Sequence, residues 1–410
     1  MILPRRLTEL LGDPRYLRLW LIGVFSMGAR WLEMLVVGVF AVETTGSPVL
    51  VALLVILRML PLAVFGSIVG TIADRMAPRR LLHLGLLLAM LVSLTVLGLA
   101  LSGIATYWQI ALATFLSGLV WTTDMPVRRR LVGDVAGPGR IAAGMSLDSA
   151  TSNAMRLIGP LFGGLLYHWL GLAGAFGLAA ALYTICLALT PGVPAAFLAQ
   201  DPVRRPTRLL GDLGEGFRYL MREPEVRRIL WVTVIFNIWG FPFVAMIPVI
   251  GTESLGLDAA AIGGLAAMEG GGAFAGALLI ATLGARPGSY RRLYFFGTAS
   301  YCALAFVAGW MTGTVPMALV IFCAGLGAAG FSTMQTTLIY GIAPPEMRGR
   351  LLGILSLTIG AGVIGFTNIG LMGELFGGAN AVRIVAAEGL VALVVLGLRW
   401  PRLWRDDGRV

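Results

Sequence analysis

The chain has 410 residues, of which 58% are hydrophobic and only 13% charged, with a mean hydropathy of +0.86. A soluble domain is nearer half apolar and a quarter charged, so a soluble enzyme or binding module is excluded and the length converts into membrane spans of about 20 residues each. The formal charge of +10 rests on arginine as its only strong base, and nearly all of the arginines fall in alternate connections between apolar runs, a footprint of membrane topology and anionic inner-leaflet lipid rather than of a nucleic-acid surface.

In chain order, the apolar runs predict twelve spans near 16–43, 49–73, 79–101, 107–127, 141–167, 170–192, 227–250, 258–284, 292–312, 315–341, 349–375 and 379–400. Each must be a helix, because hydrocarbon offers no partner to backbone N–H and C=O groups and the alternation of a barrel strand is absent. The first run follows Arg5, Arg6, Arg15 and Arg18 and is too long for a signal-peptide core. It reads as a retained first helix.

Arginine placement predicts the orientation. Arg75, Arg79 and Arg80, then Arg128 to Arg140, then Arg204 to Arg228, then Arg286 to Arg292, then Arg348 and Arg350, and finally Arg402 to Arg409 mark every second connection. The intervening connections near Thr44, Thr106, Trp169, Ser254, Thr314 and Gly377 carry none, which predicts both termini in the cytoplasm. The longest connection, rich in proline and arginine, predicts an N-terminal six-helix bundle over 1–192, a cytoplasmic linker over 193–226 and a C-terminal six-helix bundle over 227–410. Within the linker, Asp212 to Glu223 reads as a surface helix. A weak repeat supports two related halves: Arg79-Arg80-Leu81 returns as Arg291-Arg292-Leu293, and Arg140 with Ser146-Leu147 returns as Arg350 with Ser356-Leu357.

Two motifs stand out. Between the second and third spans lies Gly66-x-x-x-Gly70-x-x-x-Asp74-Arg75, followed by Arg79 and Arg80. Gly66 and Gly70 share a helix face and let a neighbour approach, while Asp74 stands among cations at a helix end, where it can pair in one conformation and separate in another. In the fifth span, Gly159-Pro160-x-x-Gly163-Gly164 combines a proline that removes a backbone hydrogen bond with glycines for close crossing. The first motif resembles the signature loop of the major facilitator superfamily, departing from it at Ala77-Pro78 and at Arg286 of the second-half copy. The second is similar to the core of the superfamily's exporter motif, with Ser146 and Met155 where glycines are expected. With Thr45-Gly46-Ser47-Pro48, Arg58-x-x-Pro61, Pro126 with Arg128, and Pro345-Glu346-x-Arg348-Gly349-Arg350, the chain resembles the subgroup of enterobactin exporters and macrolide efflux proteins. The resemblance implies an all-α integral membrane protein, twelve helices in two pseudo-symmetric six-helix bundles, working by alternating access in a bacterial inner membrane.

An ionisable group at mid-bilayer costs about 2.5–3.5 kcal/mol, so those that persist face a cavity or one another. Glu33 and Glu269, one in each half at mid-depth, are candidates for proton coupling, with Asp124 third as a group that also suits a gate partner for Arg128 or Arg75. Arg30, Arg58 and Arg156 are candidates for substrate binding, with Asn237, Gln335 and Asn368 as polar orienters and Trp31 and Trp239 as stacking surface. A structural reading stands beside this one: Arg30 with Glu33, three apart, and Asp148 with Arg156, eight apart, are candidate pairs on shared helix faces. Glu388 is set aside because twelfth spans of the superfamily usually lie outside the cavity.

The two histidines, His83 and His168, fall near opposite faces, so no metal site or other cofactor is expected. Without lysine no P-loop exists, and transport is gradient-driven or passive. The expected function is proton-coupled efflux of an amphipathic small molecule, drug-like or siderophore-like, by a monomer whose partners are solute, proton and bilayer. Uptake of a nutrient or metal chelate, or a lipid flippase on the same fold, stays open as the alternative.

Overall fold

The computed structural model describes residues 5–137, 140–193, 217–283 and 289–401. Among these every regular element is helical. A short α1 (Arg5–Leu11) precedes α2 (Pro14–Thr45), α3 (Pro48–Arg75), α4 (Pro78–Leu101), α5 (Tyr107–Ala136) and α6 (Ile141–Leu189). After the linker come α7 (Pro224–Ile235), α8 (Phe243–Glu253), α9 (Ala259–Leu283), α10 (Tyr290–Ala308), α11 (Thr314–Ile342), α12 (Pro345–Gly360), α13 (Gly362–Phe376) and α14 (Gly378–Arg399). Eight helical stretches among the described residues are long and apolar enough to cross a membrane.

The boundaries follow local chemistry. Proline opens α2, α3, α4, α7 and α12 at a position where the missing N–H has no partner to lose. Thr106 and Gln109 close a capping box at the start of α5. The predicted spans 141–167 and 170–192 are the two helical segments of α6, separated by a kink at Gly171, whose φ of +61° and ψ of −158° are non-helical and suit glycine. The predicted span 227–250 is interrupted by a π-helical turn at Phe236–Gly240, and the span 349–375 is divided at Ala361. Of the surface helix expected at 212–223, residues 217–222 are helical and 212–216 lie outside the described residues.

Contacts divide the chain into two compact units, the first holding α1, α2, α3 from Leu57 onward, α4, α5, α6 and the start of α9 (Ala259–Ala267). Its core joins Tyr16, Leu19 and Ile22 of α2 to Leu82 and Leu86 of α4, Leu131 of α5, and Tyr183 and Cys186 of α6. Close crossings are set by glycine. A Cβ on Gly159 would stand 2.6 Å from Trp31 Cβ and 3.0 Å from the Gly28 carbonyl oxygen, and one on Gly163 would stand 3.0 Å from the Leu32 carbonyl oxygen. The fifth-helix motif therefore clamps α6 onto the stretch of α2 that carries Arg30 and Glu33. Gly118 likewise brings α5 against the backbone of Arg58.

The second unit holds Thr45–Ile56, α7, α8, α9 from Met268 onward, and α10 to α14. Here Gly297 of α10 meets Gly327 of α11, with the would-be Cβ 2.7 Å from the carbonyl oxygen, and Gly276 of α9 meets Ala329 at 2.7 Å. Small residues dominate these crossings because lipid removes the hydrophobic drive for helices to associate and leaves van der Waals contact to do it.

Adjacent glycines of α9 provide a matched test. A Cβ on Gly263 would lie 2.6 Å from the Pro160 carbonyl oxygen, whereas one on Gly264 meets nothing within 4 Å. Gly263→Ala is expected to cost about 1–3 kcal/mol by overpacking, and Gly264→Ala to be neutral or stabilising by up to about 1 kcal/mol through helix propensity. Thermal melts of the purified variants read the difference, and equal melting temperatures would refute this packing.

Candidate functional site

The first unit contains a buried network of three arginines and three carboxylates drawn from four helices. Arg30 of α2 donates from Nη2 to Asp124 Oδ2 of α5 at 2.6 Å. Arg128, one helical turn along α5, brings Nε to 3.8 Å from the same oxygen and pairs through Nη1 with Asp148 of α6. Arg58 of α3 lies 3.6 Å from Glu33 Oε2 and donates to the Arg30 carbonyl oxygen at 3.2 Å. Ser93 of α4 donates to Glu33 Oε1 at 3.0 Å. Glu33, Arg58, Asp124, Arg128 and Asp148 are all at most 6% exposed.

The charges cancel, but the hydrogen bonding is incomplete. Among the described residues, Asp124 Oδ1 and Glu33 Oε2 are buried and accept no hydrogen bond. Asp124 borders a narrow cavity of about 10 Å³ that is also lined by Arg30, Arg58, Ser117 and Tyr183. That volume suits about one water molecule.

These partners correct the pairs expected from spacing. Arg30 reaches Asp124 rather than Glu33, and Asp148 pairs with Arg128 rather than Arg156. Three residues along a helix leave side chains about 60° apart, enough to face different neighbours, and eight residues separate two groups by about 12 Å along the axis, beyond direct pairing. Arg156 instead sets its guanidinium 5.3 Å from the ring centre of Trp31, a cation–π contact. The expected link of Asp124 to Arg128 is present. Ser93 and Tyr183 escaped the sequence reading, since a lone hydroxyl in an apolar run carries no signal until its neighbours are known.

In the second unit Gln335 Nε2 donates to Thr233 Oγ1 at 3.2 Å, and Thr233 Oγ1 lies 2.7 Å from the Tyr294 hydroxyl. Asn237 donates to the Thr233 carbonyl oxygen at 2.9 Å. Beside this cluster Phe236 stacks on Phe331 with ring centres 3.8 Å apart, at the π-helical turn. Glu269 is buried in α9, its backbone against Gly325. Trp239 and Asn368 come together on one acceptor, Glu388 Oε2, at 2.9 and 3.0 Å.

Of the signature loop, Arg79 donates to the Val193 carbonyl oxygen at 3.4 Å and Arg80 is exposed. The surroundings of Gly66 and Gly70 and the side chains of Asp74 and Arg75 lie outside what the structure describes. In the second half, Arg291 and Arg228 both pair with Glu225 of α7.

Residues 19–367 match the family model of the Major Facilitator Superfamily. The chain belongs to this superfamily. It is a multi-pass membrane transporter, not an enzyme, and its substrates are small molecules. It is 24% identical to the MFS-type transporter YfiS of Bacillus subtilis (strain 168), covering 92% of this chain and 89% of that one. It is 29% identical to the enterobactin exporter EntS of Shigella flexneri over 61% of this chain, and spans 58% of that relative's length. The crystal structure of the nucleoside transporter NupG superposes with a TM-score of 0.72 at 13% identity, covering 94% of this chain and 98% of the other, which shows the shared fold.

Breaking one partner of the Arg58–Glu33 pair strands a buried charge. Arg58→Leu is expected to destabilise the fold by about 3–5 kcal/mol, and the double variant Arg58→Leu/Glu33→Leu to recover most of that loss, because an apolar pair replaces a buried ion pair at little cost. Denaturation of both variants beside the single Glu33→Leu reports the coupling. Additive losses would show that the two side chains do not interact.

Proposed function

We propose that this transporter exports an amphipathic small molecule in exchange for protons, by alternating access, and that Asp124 is the principal proton-carrying group, with Glu33 beside it. The observation that carries the reading is the buried Asp124 Oδ1, which accepts no hydrogen bond among the described residues, at the edge of a water-sized cavity. A proton on Asp124 would remove one negative charge from a balanced network and release Arg30 and Arg128 from their shared partner. That change in net charge is what a carrier needs in order to link proton occupancy to conformation. Glu269, buried in the second unit, is the corresponding candidate there.

The charge balance bears on the solute. Arg30 and Arg58 are engaged by carboxylates, so neither stands as a spare cation for an anionic substrate, and an amphipathic solute suits the site better. Export is supported by the likeness to the enterobactin exporter and by the glycine clamp of the fifth-helix motif. The proposal includes an inner-membrane monomer with both termini in the cytoplasm and with Asp74, Arg75, Arg79 and Arg80 acting as a gating loop.

Proteoliposomes with an imposed pH gradient test it. Adding a transported amphiphile is expected to dissipate the gradient with the native protein. Asp124→Asn is expected to abolish this dissipation, at least tenfold, while solute exchange without a gradient persists. Glu33→Gln and Glu269→Gln are expected to weaken it. Full proton coupling in Asp124→Asn would remove this residue from the mechanism.

A further inference from the structure

Glu388 has an unusual setting. It is the eleventh of the 22 residues of α14, so it lies about 15 Å from either end of that helix at 1.5 Å per residue, near the middle of the hydrocarbon. Yet it is exposed. The surface around it is apolar: Val391, Val395 and Leu398, on the same stripe of α14, are 63%, 57% and 74% exposed, and Ile364 and Leu371 flank Asn368 on α13 at 62% and 48%. A surface of that composition faces lipid rather than water.

Two neutral donors hold the carboxylate, the Trp239 indole N–H from the π-helical turn and the Asn368 amide from α13, both on Oε2. Among the described residues no arginine forms an ion pair with Glu388; Arg383, on the same helix, donates to the Gly309 carbonyl oxygen and to Asn380 Oδ1 and stacks on Trp310. The three side chains come from separate helical elements of one unit, and the two donors orient Glu388 while Oε1 accepts no hydrogen bond among the described residues. A carboxylate at this depth costs about 2.5–3.5 kcal/mol unless compensated. Two hydrogen bonds from neutral N–H donors offset part of that cost and leave the charge itself unmatched.

We propose that Glu388, Trp239 and Asn368 form a binding site for a lipophilic monocation that enters from the bilayer, with Glu388 as counter-ion, the Trp239 indole as aromatic wall and Asn368 as positioning donor. The ligand chemistry follows from the setting. Only a hydrophobic ion reaches this depth, only a cation is attracted by the carboxylate, and an indole face adds cation–π attraction. The inference rests on the carrier reading and deepens it by naming the charge class of the solute.

Equilibrium binding of radiolabelled tetraphenylphosphonium to the full chain in lipid nanodiscs, without a pH gradient, is the test. Saturable binding to the native protein is expected, weakened at least tenfold in Glu388→Gln and largely restored in Glu388→Asp. Tetraphenylborate, of the same shape and opposite charge, is expected to show no saturable binding when measured separately, which needs no variant. Dicyclohexylcarbodiimide, which reaches carboxyl groups through lipid, is expected to label Glu388 in peptide maps, with tetraphenylphosphonium protecting it. Absence of saturable cation binding, equal binding by Glu388→Gln, or equal binding of the anion would each overturn the proposal. Because no proton gradient is imposed, failure here is distinct from failure of Asp124 as proton carrier, which is read from the liposome flux.

Discussion

One carboxylate, Asp124, holds two arginines at once, Arg30 from α2 and Arg128 from its own helix, and the rest of the first unit is arranged so that this is tolerable inside hydrocarbon. Charges in a medium of low dielectric must be matched nearly one for one, and six of them from four helices cancel here. Four of the helices are tied together as a result: α2 to α5 through Arg30, α5 to α6 through Asp148, α2 to α3 through Arg58, with Ser93 adding α4. An ionic network of this kind specifies which helix faces which, something that apolar packing in lipid does weakly.

The glycines serve the same network by a different route. Gly159 and Gly163 press α6 onto α2 beside Arg30 and Glu33, and Gly118 presses α5 onto α3 at Arg58. The charged side chains thus sit on backbones whose separation is set by the lack of a Cβ. A motif associated with export by its sequence pattern is, in physical terms, a clamp that positions charge.

Among the described residues the second unit buries fewer charged side chains than the first, Glu269 being one of them. Its interior is stacked aromatics and neutral hydrogen bonds, Phe236 on Phe331 and the Thr233, Tyr294 and Gln335 cluster. The π-helical turn at Phe236–Gly240 inserts one extra residue per turn, which turns Trp239 toward Glu388. Such turns cost helix regularity and tend to persist where a side chain must be re-aimed.

The all-helical membrane class, the superfamily and the candidate list were legible in the sequence, because composition, arginine spacing and glycine–proline motifs follow from local rules and from the chemistry of lipid. Helix ends were legible within a few residues for the same reason, as with Pro14, Pro48 and Pro78. The pairing of charges was not. Arg30 and Glu33 share a stretch of α2 yet turn to different neighbours, Asp148 and Arg156 are too far apart to meet, and Glu388, set aside on its position in the last span, gathers two of the polar candidates. The π-helical turn also emerged only with the fold. Sequence determines which groups must find partners in hydrocarbon; the tertiary structure alone decides which partners they find, because that depends on the rotation and separation of helices far apart along the chain.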